Sequence, residues 1–366
     1  MKTTPQTVPT AAFGEGDMLP DVILPGSDGK LVRFLDYVTN KRQVLVFCPD
    51  PRLPSCRDRL QNFARFFERL DPLTFVIGIT ATMPEDNAAF LIETPLPYLM
   101  LSDYEHNLAR GLGVEPDTGA DAADGFAIVV CDVSRRVMKI SPNVTDPDPA
   151  QAVLDFLESL PERPARSLSH FAPVLYVPGV FEPDFCRALV AMFEAGQPQR
   201  SGVYQQSGEL GQSGHHVDLS EKARTDVLVT DPGLLQGINR RLGKRIQPEV
   251  DKAFSRRISG AEQYKIVRYD AAESGHFTAH RDNVLERHLH RRFAITLNLN
   301  TDEYDGGELA FPEYGADLYK PGTGDAVVFS CSLLHEVRPV TRGQRYVFLA
   351  FFFDEESRKL NDRFRR

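Results

Sequence analysis

The chain has 366 residues and a formal net charge of −9. That length exceeds one small domain and suits two, with a seam expected near the middle, and a hydrophobic share of 42% lets each half bury a core. The acidic balance excludes a general nucleic-acid binder, which needs a cationic face, and no stretch reaches the roughly 18 apolar residues that span a bilayer. The first residues lack the apolar run of a secretory leader. Five cysteines (Cys48, Cys56, Cys131, Cys186 and Cys331) form neither a framework nor a CxxC pair. Both features point to a reducing, cytoplasmic setting.

From residue 21 to about 160, strand and helix signals alternate. Apolar runs in QVLVF, in LTFVIGIT from Leu73 and in GFAIVVCD from Gly125 predict buried strands. Between the first two, Leu60, Phe63, Phe66, Phe67 and Leu70 recur at helical spacing, as expected of a helix packed on a sheet. Asn87 to Ile92 and Ala150 to Leu160 predict further helices, and Val133 to Val137 a hairpin turn. The expected unit is a small α/β domain over residues 1–162, followed by PERPARSL, a linker by its prolines and charges.

The second domain is expected over 169–358. Helices are predicted from Pro183 to Ala195 and from Pro232 to Phe254. SGVYQQSGELGQSGHHVDLS, residues 201 to 220, is rich in Gly, Ser and Gln and predicts a mobile loop in which His215 and His216 are candidate lid residues. From Tyr264 the texture becomes short strands broken by Gly306-Gly307, Pro312, Pro321-Gly322 and Gly343, which predicts a β-sandwich or barrel with helical support.

Within that β-rich part, His280 and Asp282 stand two apart in a strand-like segment, so their side chains should leave one face. His335, past the strand DAVVFS, is placed to supply a third ligand. Two imidazoles and one carboxylate leave open positions on a ferrous ion. Arg345 follows ten residues later, before the apolar run YVFLAFFF. It is expected on the next strand, where a buried guanidinium needs an anionic partner and grips a carboxylate bidentately.

Three motifs in order, VRYDAAESGHFTAHRDN, YDGGELAF and KPGTGDAVVFSCSLLHEVRPVTRGQRYVFLAFFFD, resemble the prolyl 4-hydroxylase branch of the iron(II)/2-oxoglutarate dioxygenases. The resemblance implies a double-stranded β-helix (jelly-roll) fold of α+β class. It places His280, Asp282 and His335 as iron ligands, Arg345 on the distal carboxylate of 2-oxoglutarate and Tyr269 beside that co-substrate. It implies Fe(II), 2-oxoglutarate and O2 as cofactors, ascorbate as an optional reductant, and hydroxylation with release of succinate and CO2. The substrate implied is a prolyl, peptidyl or amino-acid-like group, and the partners expected exclude nucleic acid and membrane. Arg281 should point away from the metal, NVLERHLHRR is either a substrate contact or a solvated loop, and Thr225 falls where a substrate-side strand begins.

In the first half, GDMLPDVILPGSDGKLVRF, QVLVFCPDPRLPSC and LPYLMLSDYEHNLARGLGV resemble the peroxiredoxin (alkyl hydroperoxide reductase/thiol-specific antioxidant) group of thioredoxin-like folds. The resemblance puts Cys56 at the peroxidatic position, at a helix N-terminus beside Arg57, where a thiolate is favoured. The group's hydroxyl residue three places earlier is Leu53 here, and ADAADG stands where a downstream arginine is expected. Without those polar partners, peroxide cleavage loses its electrostatic support. The domain is therefore expected to serve folding, homodimer formation or substrate presentation. A thiol peroxidase or redox sensor using Cys56 is the alternative. Cys48 and Cys131 are expected to be buried in strands.

Overall fold

The computed structural model describes residues 13–37, 41–115, 125–161, 171–201, 203–206, 213–216 and 218–364. The expected linker and most of ADAADG lie outside the described residues. The chain divides into two compact units, Met1–Ala165 and Arg166–Arg366.

The first unit opens with a small hairpin, β1 (Ile23–Pro25) and β2 (Leu31–Arg33). Its main sheet holds β3 (Arg42–Cys48), β4 (Thr74–Thr80), β5 (Leu99–Ser102), β6 (Ala127–Cys131) and β7 (Val137–Ser141), in the order β5-β4-β3-β6-β7. β5, β4 and β3 run parallel, whereas β6 and β7 are antiparallel. The helices are α1 (Pro54–Arg65), α2 (Phe67–Leu70), α3 (Pro84–Glu93), α4 (Asn107–Gly111) and α5 (Pro149–Glu158). Both faces of the sheet are covered, and β3 shows why its sequence is continuously apolar. Val44, Val46 and Cys48 enter one core with Leu60 and Phe63 of α1, while Leu45 and Phe47 enter the other with Leu108. This is a thioredoxin-like α/β fold.

The second unit begins with β8 (Leu175–Val177), α6 (Pro183–Ala195) and β9 (Gln199–Arg200). β10 (Val203–Gln206) and β11 (Ser213–His216) then form an antiparallel hairpin inside the segment expected to be a loop. Pairing uses backbone groups, so a polar Gly/Ser/Gln composition does not forbid it. The side chains of His215 and His216 lie outside the described residues. After β12 (Lys222–Ala223) and β13 (Thr225–Leu228), the expected long helix is split into α7 (Pro232–Arg241), a π turn (Leu242–Ile246) and α8 (Gln247–Phe254).

The remaining strands are β14 (Gly260–Ala261), β15 (Lys265–Asp270), β16 (His276–His280), β17 (Phe293–Asn298), β18 (Asp305–Gly306), β19 (Leu309–Ala310), β20 (Leu318–Tyr319), β21 (Ala326–Ser330), β22 (His335–Val337), β23 (Val340–Arg342) and β24 (Gln344–Phe353), before α9 (Glu355–Phe364). The large sheet runs β8-β21-β17-β24-β15-β13-β9, with β14 on β24, and the smaller one β12-β16-β22-β19-β20. Ile266, Ile295, Phe348 and Phe352 turn their side of the large sheet toward Leu189, Phe193, Ile238 and Val250 of the helices. Val267, Ala294, Phe329 and Val347 face the other way, toward Leu309 and Val337 of the small sheet. Two antiparallel sheets with helices on one outer face make a double-stranded β-helix. Among the described residues, no helix is long and apolar enough to cross a membrane.

Candidate metal and co-substrate site

A cavity of about 460 Å³ opens between the two sheets of the second unit, within the range that holds a small molecule. His280 ends β16 and His335 opens β22, and the two are paired across the ladder. Asp282 lies two residues beyond the end of β16, its amide bonded to the Cys331 carbonyl at 3.0 Å. The carboxylate therefore reaches His280 through a turn, not through the strand period expected from sequence, and the β16–β22 register shifts just before His280.

The ligating atoms of His280, Asp282 and His335 lie within 4.8 Å of one another. Asp282 Oδ1 is 3.5 Å from His280 Nε2, and its Oδ2 is 3.4 Å from His335 Nε2. Each imidazole turns Nδ1 to a carbonyl, His280 to Thr278 at 2.8 Å and His335 to Leu333 at 3.0 Å. That contact places the proton on Nδ1 and leaves both Nε2 lone pairs aimed at one point. Burial would raise the Asp282 carboxyl, but His335 and His280 hold it at about 2. Burial pushes His335 down, toward the neutral imidazole that a metal needs. Aromatic rings fix the ligands: Phe277 stacks on His280 at 3.6 Å between centroids, and Phe329 meets His335 edge-on at 4.7 Å. The donor set fits a ferrous ion with open coordination positions.

Arg345 comes from the opposite wall. It stands on β24 of the large sheet, not on the strand next to His335, because β23 intervenes and the chain changes sheet. Its side chain is 1% exposed and lines the cavity. Nη2 donates to Asn298 Oδ1 at 3.1 Å, while Nε and Nη1 have no hydrogen-bond partner. A buried cation with two unmet donors costs about 1–3 kcal/mol or more, which a carboxylate ligand would relieve. The GGEL turn makes room for it: Gly307 has φ +67°, and a Cβ there would stand 2.9 Å from Arg345 Cδ.

Tyr269 pairs with Arg345 across the β15–β24 ladder, its ring 5.4 Å from the guanidinium. Its hydroxyl accepts from Arg224 Nη1 at 3.1 Å. Arg224 and its neighbour Lys222 both line the cavity and escaped the reading of the sequence, which singled out Thr225. Their signal was present: two cations alternate in KARTD just before an apolar strand. Arg281 does point outward, pairing with Glu313 at 2.7 Å and donating to the Ser332 carbonyl, although part of it borders the cavity.

NVLERHLHRR is not a solvated loop throughout. His290 is 4% exposed and sits 2.8 Å from Glu262. Arg291 stacks on Phe351 at 3.9 Å, holds Glu262 at 2.6 and 2.8 Å, and donates to the Asp282 carbonyl at 3.3 Å. Val284, Leu285, His288 and Arg291 reach the cavity.

Cys56 belongs to the first unit. It is the third residue of α1, fully buried beside Val44, Val46, Leu60 and Phe63. Leu53, the residue before the helix, makes no side-chain cap. Arg57 turns to the Phe90 ring at 5.7 Å and to Glu93 at 3.9 Å. Cys48 and Cys131 are buried in β3 and β6 as expected. Burial drives the Cys131 thiol well up.

Comparison with known proteins matches residues 264–353 to the 2OG-Fe(II) oxygenase superfamily and residues 16–133 to the AhpC/TSA family. A PKHD-type hydroxylase of Pseudomonas putida is 41% identical over 91 residues, which are 23% of this chain and 39% of that protein. A peroxiredoxin of Schizosaccharomyces pombe is 30% identical over 105 residues, 28% of this chain and 54% of its own. The chain thus spans about two-fifths to a half of these relatives. Among solved structures, the peroxidoxin BcpB of Mycobacterium tuberculosis is similar at 21% identity and TM-score 0.37, covering 40% of this chain and 98% of its own. A prolyl hydroxylase of Trichoplax adhaerens, solved with a hypoxia inducible factor peptide fragment, is similar at 15% identity and TM-score 0.40, covering 51% and 86%. The chain therefore carries an AhpC/TSA-family domain on its N-terminal side and a 2OG-Fe(II) oxygenase superfamily domain on its C-terminal side.

Proposed function

We propose that the protein is an iron(II)- and 2-oxoglutarate-dependent hydroxylase acting on a prolyl, peptidyl or amino-acid-like substrate. The observation that carries this reading is the meeting, in one cavity, of the His280–Asp282–His335 donor set and a buried Arg345 with two open donors. His280, Asp282 and His335 would hold the iron, and Arg345 would take the distal carboxylate of 2-oxoglutarate with Tyr269 alongside. When bound, the iron and 2-oxoglutarate supply the oxidation: O2 and 2-oxoglutarate are consumed, one oxygen atom enters a substrate C–H bond as hydroxyl, and succinate and CO2 leave. The chain's part is geometric and electrostatic. The Thr278 and Leu333 carbonyls fix the imidazoles, the Asp282 carboxylate lowers the charge of the site, and Val267, Val347 and Leu349 give it a dry wall.

Cys56 is assigned no part in that reaction, and the first unit is assigned a structural role. Iron binding and iron-dependent succinate release from 2-oxoglutarate test the proposal. His280→Ala should lose both. If the variant binds iron as tightly as the wild type, the ligand assignment is wrong. Peroxide consumption with a thiol reductant, abolished by Cys56→Ser, would instead support a peroxidase.

A further inference from the structure

The three candidate ligands sit on two short segments that the β-ladder alone does not hold in place. The β16–β22 pairing shifts register before it reaches His280 and His335, and Asp282 lies beyond the end of β16. A ligand set must nonetheless keep its geometry to within about 0.5 Å. Part of the tie is direct. The Asp282 amide donates to the Cys331 carbonyl at 3.0 Å, and Asn283 Nδ2 donates to Ser332 Oγ at 2.8 Å.

A third segment completes it. Glu313 lies in the turn between β19 and β20, which the Tyr314 amide closes on the Phe311 carbonyl at 2.9 Å. Phe311 anchors that turn: its ring is buried and meets those of Tyr319 and Phe329 edge-on at 5.3 and 5.2 Å. From there one carboxylate reaches both ligand segments. Its Oε1 accepts from Arg281 Nη2 at 2.7 Å, and its Oε2 from Arg281 Nη1 at 3.1 Å. Oε2 also accepts from the Leu334 amide at 2.9 Å. Arg281 stands between His280 and Asp282 in the chain, and Leu334 directly precedes His335.

The Leu334 amide and the Leu333 carbonyl belong to one planar peptide unit. That carbonyl is the group facing His335 Nδ1 at 3.0 Å. The contacts therefore run from the Glu313 carboxylate through a single peptide to a metal-binding imidazole. A negative charge on the amide side strengthens the carbonyl as an acceptor and makes the far ring nitrogen a better donor to a metal. Glu313 is not among the residues that line the cavity, so it acts only through these neighbours. The Arg281 and Glu313 side chains are 36% and 37% exposed, and an ion pair so open to water adds little to stability.

Resting on the function proposed above, we infer that Glu313 is a positioning residue of the metal site. Its carboxylate clamps the two ligand segments together and, through the Leu333–Leu334 peptide, orients and polarises His335.

The test titrates the full chain with Co(II), a probe of ferrous sites followed by its visible absorption, in competition with a chelator. Glu313→Ala should weaken Co(II) binding roughly tenfold or more and change the spectrum of the loaded protein. Its metal-free melting temperature should stay within about 3 °C of wild type. Glu313→Gln keeps the shape and one acceptor oxygen, so it should recover part of the affinity. Glu273→Ala removes a comparably exposed pair, Glu273 with Arg200, and should leave Co(II) binding unchanged. In succinate release, Glu313→Ala should raise the iron concentration needed for half-maximal rate. The KM for 2-oxoglutarate should stay within about twofold, because Arg345 stands on the other sheet. The inference is overturned if Glu313→Ala binds Co(II) as tightly as wild type, or if Glu313→Gln is no better than Glu313→Ala. A loss matched by Glu273→Ala, or by a large fall in the metal-free melting temperature, overturns it as well. Wild-type protein that binds no Co(II) would instead sink the ligand assignment, and the inference with it.

Discussion

At the scale of single residues, Arg345 makes the sharpest demand. Its Nε and Nη1 are buried without hydrogen-bond partners, which is what the proposed contact with a carboxylate would satisfy. Arg345→Met should abolish stabilisation by 2-oxoglutarate while leaving the unliganded melting temperature equal or higher, because an apolar replacement removes an uncompensated charge. Arg345→Lys keeps the charge but not the fork, and should raise the KM for 2-oxoglutarate by roughly tenfold or more in a succinate-release assay. Equal KM values for variant and wild type would remove Arg345 from the co-substrate site. Arg345 was legible in the sequence because a cation stands directly before an apolar run. Lys222 and Arg224 were not, because alternating cations before a strand usually read as a solvated edge, and only the crossing between sheets turns them inward.

At the scale of elements, short segments set the ligand geometry. Gly307 lets the turn before β19 pass close to the Arg345 side chain, and Gly307→Ala should lose affinity for 2-oxoglutarate with iron binding retained, as titration calorimetry would measure. The loop after Asp282 is held by Glu262 through Arg291 and His290. Burial would raise Glu262, yet the bond from Arg291 and its charge keep that carboxyl below its ordinary value of 4.5. A carboxyl with a folded pKa lowered in this way stabilises the protein above its unfolded pKa and ceases to do so as pH falls through its folded one. The stability difference between wild type and Glu262→Gln, from urea titrations, should therefore be largest near neutrality and shrink from about pH 5 to about pH 3. A difference that grows on acidification would contradict the ion-pair role. Sequence periodicity marked β15, β17, β21 and β24, which are long and apolar. It missed the β10–β11 hairpin, whose pairing is carried by backbone atoms in a polar segment, and it ran α7 and α8 together because a π turn keeps the apolar face nearly continuous.

At the scale of the whole molecule, the chain joins two units with separate cores. If the first unit has no part in the oxidation, Cys56→Ser should leave the rate of succinate release within about twofold of wild type, and a clear loss would tie that thiol to the reaction. The amino-acid sequence by itself marked a division near residue 165, the class of each unit and the residues proposed here as metal ligands and co-substrate cation, His280, Asp282, His335 and Arg345. Those features are written in local apolar runs, punctuation by glycine and proline, and residue chemistry. Tertiary structure alone decided how the ligands converge. Asp282 arrives by a turn after β16, His335 comes from the neighbouring strand, and Arg345 reaches across from the other sheet, with Lys222 and Arg224 closing the cavity. The physical reason is that a side chain's direction within one strand follows from its period, whereas the meeting of two sheets depends on long-range pairing that no local pattern encodes.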